Sequence, residues 1–108
     1  MRTRAYVILG ALVALAIAAV ASGASTPGVT STEVVIGGTT PLTGSASAYQ
    51  SVARGAAAYF KYVNSKGGVN KRKIKYIYKD DGYDPARTSE QTRELVQQDK
   101  VFAIFNSL

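Results

Sequence analysis

Four side chains between Thr43 and Tyr49 have the chemistry to hold a small molecule. Thr43, Ser45 and Ser47 carry hydroxyls that donate or accept hydrogen bonds, and Tyr49 offers an apolar ring face with a polar tip. They follow Pro41-Leu42 in a turn-rich loop, Thr39 to Ser45, that leads into an amphipathic segment. The start of a helix there would present free N–H groups and a dipole suited to a carboxylate or another anion. As ordinary turn and cap residues Thr43 and Ser45 are equally well explained; Tyr49 fits that description less well.

The acidic cluster Asp80-Asp81-Gly82-Tyr83-Asp84-Pro85 invites sharper readings that the spacing rejects. A ribose-binding acid of a dinucleotide fold needs G-x-G-x-x-G at the first turn. The loop here, Gly37-Gly38-Thr39-Thr40-Pro41, lacks it and sets a proline in the phosphate path. The aspartates also miss the alternating pattern of a calcium loop. The simplest reading makes Asp84 a helix cap, Pro85 the first helical residue, and the neighbours a shaped turn. With no histidine and no cysteine, the chain builds no imidazole base, thiolate nucleophile or common zinc site. Lone serines without a base are weak nucleophiles, so binding rather than turnover is expected, with no cofactor and no metal.

The elements that must position these residues follow from hydrophobic patterning. Arg2, Arg4, an uncharged apolar run from Ala5 to Ala21 and the small residues Ala21-Ser22-Gly23-Ala24 have the layout of a cleavable signal peptide, residues 1–23. Residues 24–32 read as a flexible mature terminus, and the folded part as 33–108. Removal of the signal takes the formal charge from +6 to +4 by losing Arg2 and Arg4. Lys71, Arg72, Lys73, Lys75 and Lys79 cluster near Tyr76 and Tyr78, as a nucleic-acid face would. Period-two alternation instead separates lysines from Ile74, Tyr76 and Tyr78, which describes a solvated edge strand, and no nucleic-acid partner is expected.

Val34–Ile36 and Val101–Phe105 are continuous apolar runs suited to strands buried on both faces. Between them lie a helix from about Ala46 to Ser65, with Val52, Ala56, Tyr59, Phe60 and Val63 on one stripe, and the strand Lys73–Tyr78. A second helix from Asp84 carries Thr88, Thr92, Leu95 and Val96. The order β-α-β-α-β calls for an α/β fold: a three-layer, doubly wound parallel sheet in the order 2-1-3, of which this is the first portion. Ligands bind such sheets where strand order reverses, beyond the ends of Val34–Ile36 and Val101–Phe105. The outer edge of the last strand is apolar, so further strands beyond Leu108 are expected to cover it.

In these motifs, taken in order, the chain resembles the amino-terminal part of ABC-transporter substrate-binding proteins of the branched-chain amino acid (Leu/Ile/Val) type, periplasmic binding proteins of type 1. The marks are Ile36-Gly37-Gly38 leading to Pro41-Leu42-Thr43-Gly44 and Tyr49, then Asn64-Ser65-Lys66-Gly67-Gly68-Val69, Lys71-Arg72-Lys73-Ile74, and Asp80 to Pro85. The resemblance implies two α/β lobes that close on a ligand by hinge motion. Tyr49 would supply an aromatic contact, while the loop after the third strand would hold the ligand's carboxylate. The ligand implied is an amino acid or similar small polar solute, and the partner the membrane permease of an ABC importer. The implied protein is exported, periplasmic or extracellular, and monomeric at full length. Relatives often have a cysteine in the acidic turn or at a lipid anchor; Tyr83 stands in the turn here, and the chain has no cysteine for either. The alternative is the extracellular sensor domain of a receptor built on the same lobes.

Overall fold

The computed structural model describes residues 25–108, so the signal-peptide expectation lies outside the described residues. Three parallel strands form one sheet in the order β2-β1-β3: β1 (Glu33–Thr40), β2 (Lys73–Asp80) and β3 (Ala103–Ile104). Helix α1 (Gln50–Ser65) connects β1 to β2, and α2 (Pro85–Gln97) connects β2 to β3. This is the doubly wound α/β arrangement in the expected order.

β1 does not stop at Gly37-Gly38 but runs through both glycines to Thr40. The reason is close packing on each face. A Cβ on Gly37 would lie 2.9 Å from Leu95 Cδ2 and 3.0 Å from Val101 Cγ1, whereas one on Gly38 would lie 3.0 Å from the Tyr76 hydroxyl. Successive residues of a strand face opposite sides, so α2, through Leu95, covers one face. The aromatic cluster under α1 covers the other. There Phe60 stacks edge-on against Tyr76 and Phe105, with centroids 5.3 and 5.5 Å apart. Glycine in the strand is the space that lets both layers approach.

The helix faces follow the expected stripes in part: Leu95 is buried, and Ala56, Phe60, Val63, Thr88 and Thr92 are half-buried. Val52, Tyr59 and Val96 are exposed instead, and Ala53 is buried. Where a helix lies against the sheet, a small residue such as Ala53 permits contact and the larger side chains flank it. The lead-in expected to be flexible is docked over its second half. Val35 N–H donates to the Gly28 carbonyl at 2.7 Å, and Thr30 N–H donates to the Glu33 carbonyl at 2.9 Å. β3 is shorter than Val101–Phe105, because Val101 N–H is drawn back to the Leu95 carbonyl and Asn106 turns left-handed. Single parallel-ladder bonds flank it, from Phe102 N–H to Val35 and from Phe105 N–H to Gly37, each at 2.7 Å.

Lys79 also departs from the picture of a solvated lysine edge. Its ammonium sits 2.6 Å from Glu94 and 2.8 Å from Asp99, tying β2 to α2. Burial works against the charged lysine, yet the two carboxylates prevail and raise its pKa above the ordinary value.

Candidate functional site

The loop after β1 emerges at the carboxyl end of the sheet, beside the end of β3. Pro41 is buried, Leu42 half-buried, and Thr43, Gly44 and Ser45 are exposed. A 3₁₀ turn, Ser47–Tyr49, then joins directly to α1. It forms in place of the first helical turn expected from Ala46. Ser47 N–H donates to Gly44, Tyr49 N–H to Ala46, and Gln50 N–H to Ser47. Those amides are thus satisfied within the segment, and the helix start offers fewer open N–H groups than the sequence suggests. Ser47 is half-buried at the head of the turn, whereas Tyr49 is 56% exposed.

Thr43 has a partner that the sequence does not reveal. Its hydroxyl donates to Asp80 Oδ2 at 2.6 Å, and its N–H donates to Asp80 Oδ1 at 3.2 Å. Leu42 N–H joins the same oxygen at 2.8 Å, and Gly82 N–H at 3.0 Å. Arg87 adds a guanidinium contact to Oδ2 at 3.3 Å. The Thr43 hydroxyl, with the backbone N–H groups of Gly82, Leu42 and Thr43, outweighs burial and holds the Asp80 carboxyl well below the usual carboxylate range.

The rest of the acidic turn closes on itself, as expected. Asp81 is fully buried, accepting from Tyr83 N–H at 2.9 Å and from the Thr88 hydroxyl at 3.1 Å. Asp84 caps α2 by accepting from Arg87 N–H at 2.8 Å. No group of residues that could hold a metal ion occurs among the described residues.

Two further features lie at this end. Ser107, after β3, accepts from Thr39 N–H at 3.0 Å, and Leu108 N–H donates to the Thr39 carbonyl at 3.3 Å. The segment after β3 is thereby brought alongside β1. Thr39 and Thr40 are only 1% and 2% exposed, so a ligand does not reach their hydroxyls. A cavity of about 390 Å³ opens between Tyr83, Pro85, Thr88 and Leu108. Sequence reasoning missed both the cavity and the role of Asp80. The aspartate-aspartate-glycine run did signal a carboxylate-closed turn. It did not signal that one carboxylate reaches across to the loop after β1.

Residues 33–108 match the model of a family described as periplasmic binding protein. The chain is 36% identical over 73 residues to an amino acid binding protein of Pseudomonas aeruginosa, covering 67% of this chain and 20% of that protein. Among solved structures it is similar to a fatty acid ABC transporter substrate-binding protein from Thermomonospora curvata. There the TM-score is 0.68 and the identity 34%, over 75% of this chain and 21% of that one. It is also similar to the branched-chain amino acid transporter substrate-binding protein of Streptococcus pneumoniae, solved with isoleucine. In that case the TM-score is 0.64 and the identity 29%, over 67% of this chain and 21% of that one. The chain thus spans about a fifth of the length of these relatives.

Proposed function

The chain belongs to the periplasmic binding protein family, and from that premise we propose that it forms the opening portion of the ligand-binding lobe of an exported solute-binding protein. In this reading residues 1–23 are a cleaved signal, 24–32 lead into the lobe, and 33–108 begin it. The protein captures a small solute outside the cytoplasm and delivers it to the membrane permease of an ABC importer. Its role is capture, not turnover.

The observation that supports the reading is Tyr49, exposed on the connection that leaves the carboxyl end of β1, the strand at which the sheet order reverses. Open parallel sheets bind ligands there. Ser45 and Ser47 offer polar contacts from the same loop, whereas Thr43 has its hydroxyl proton directed to Asp80. The ligands named for the two structural relatives, isoleucine and fatty acid, share a carboxylate and an aliphatic part. A carboxylate-bearing solute, an amino acid foremost, is the class proposed.

Calorimetric titration of the whole exported protein with L-amino acids and short fatty acids tests this. Saturable binding by one class is expected, and Tyr49→Ala should weaken it by about tenfold or more, about 1.4 kcal/mol or more. No binding across the panel, or an unchanged affinity in Tyr49→Ala, would overturn the proposal.

A further inference from the structure

We infer that Asp80 is a positioning residue that sets the shape of the ligand-facing loop from the neighbouring strand; its importance for binding rests on the function proposed above. Beyond Pro41 the loop has no buried side chain until Ala53, so hydrophobic packing does little to fix it. It also passes through Gly44 at φ +83, a conformation that gives no rigidity of its own. What the loop does have is three donors converging on one carboxylate: the N–H groups of Leu42 and Thr43 and the Thr43 hydroxyl.

The carboxylate is itself held from the other side. Asp80 ends β2, whose backbone pairs with β1 at Thr40, and its oxygens are further fixed by Gly82 N–H and Arg87. The geometry is a bridge between two crossover loops, anchored on the sheet at both feet. Charge-assisted bonds of this kind are shorter and stronger than neutral ones. Thr43 therefore acts through Asp80, and the side chains left to face a ligand are Ser45, Ser47 and Tyr49. A loop fixed before the ligand arrives loses less freedom on binding, which is how a residue outside the contact set raises affinity.

The test uses the whole protein and four variants: Asp80→Ala, Asp80→Asn, Thr43→Val and the Asp80→Asn/Thr43→Val double. Amide hydrogen exchange is followed in residues 41–49 and, as an internal reference, in β1 and α1. L-isoleucine serves as the binding probe. Asp80→Ala is expected to speed exchange in 41–49 by roughly tenfold or more, the loss of charge-assisted bonds, while β1 and α1 stay protected. Asp80→Asn keeps one acceptor oxygen for the backbone donors and should fall between wild type and Asp80→Ala. Thr43→Val removes the hydroxyl that bonds Asp80 Oδ2, and Asp80→Asn takes the charge from that same contact and turns its direction round. The two act on one interaction, so the double variant should show less than the sum of the two singles.

Unchanged exchange in 41–49 on loss of Asp80, or additive effects in the double variant, would overturn the inference. If Asp80→Ala does not fold, Asp80→Asn, Thr43→Val and their double decide it alone. Absence of L-isoleucine binding by the wild type counts against the proposed ligand class, and the exchange data then judge the bridge by itself. If the wild type binds and loop exchange rises in Asp80→Asn, an unchanged affinity overturns the positioning role.

Discussion

At Ile74 the outer edge of β2 is closed by a side chain of the chain itself, whereas β3 lies within a run, Val101 to Leu108, without a single charged side chain. On the β2 side the Asn64 amide brackets Ile74. Its Nδ2 donates to the Ile74 carbonyl at 2.7 Å, and its Oδ1 accepts from Ile74 N–H at 2.8 Å. At this one residue a side chain from α1 takes up the bonds that a neighbouring strand would otherwise make. On the other side Phe102, Ile104 and Phe105 are 53%, 39% and 40% exposed. Unpaired strand edges are templates for association, and folded proteins cover or charge them. β2 has the make-up of a true edge, and β3 that of an interior strand.

That contrast is broken most easily at β3. A polypeptide of residues 25–108 is expected to self-associate in a concentration-dependent way. Phe102→Lys/Ile104→Lys should move the onset to at least roughly tenfold higher concentration, read by sedimentation equilibrium. If the charged variant associates as readily as the parent, the contact lies elsewhere and the two edges do not differ in the way described.

The β2 edge predicts a smaller effect on stability. Asn64→Ala leaves the Ile74 N–H and carbonyl without the bracket, partly shielded under the end of α1. The expected cost is about 1–3 kcal/mol, seen as a lower urea midpoint with an unchanged slope. A cost below about 0.5 kcal/mol would show that water replaces the bracket and that the lysines alone finish this edge.

How much of this was legible in the residues depends on the range of each interaction. Strand order followed from the apolar runs and from the lysines of β2, which exclude it from the centre. Asp84 and Pro85 announced the start of α2, because a cap and its helix are neighbours in the chain. Tyr49 was expected on the connection that leaves the carboxyl end of β1, and it lies between β1 and α1. The errors are long-range. Asn64 reads as one more polar residue in a helix C-terminal turn, and its partner at Ile74 emerges only when α1 lies along β2. Asp80 reads as part of a local turn, although three of its donors come from residues 37 or 38 positions earlier. Lys79 reads as a solvated edge charge until α2 brings Glu94 and Asp99 to it. Gly37 and Gly38 suggested a turn because glycine permits one, and close packing on both faces is a requirement that local sequence does not express.

The smallest predicted effect concerns the turn that feeds β2. Val69 and Arg72 exchange two backbone bonds, at 2.8 and 2.9 Å, across Asn70 and Lys71. Both central residues have positive φ, 48° and 65°. This is the tight turn that matches strand twist, and its usual second residue is glycine. Asparagine tolerates the first position, but lysine at the second bears the left-handed penalty. Lys71→Gly should therefore stabilise the fold by about 0.5–1 kcal/mol, less than the full penalty because glycine also frees the unfolded chain. The same variant removes one charge from beside the β2 edge, which separates two explanations of how that edge is kept unpaired. If Asn64 closes it, Lys71→Gly raises the melting temperature and leaves the association behaviour of residues 25–108 as it was. If the lysines keep it clear by repulsion, stability rises while association also increases, and the closure then belongs to charge instead of to the amide bracket.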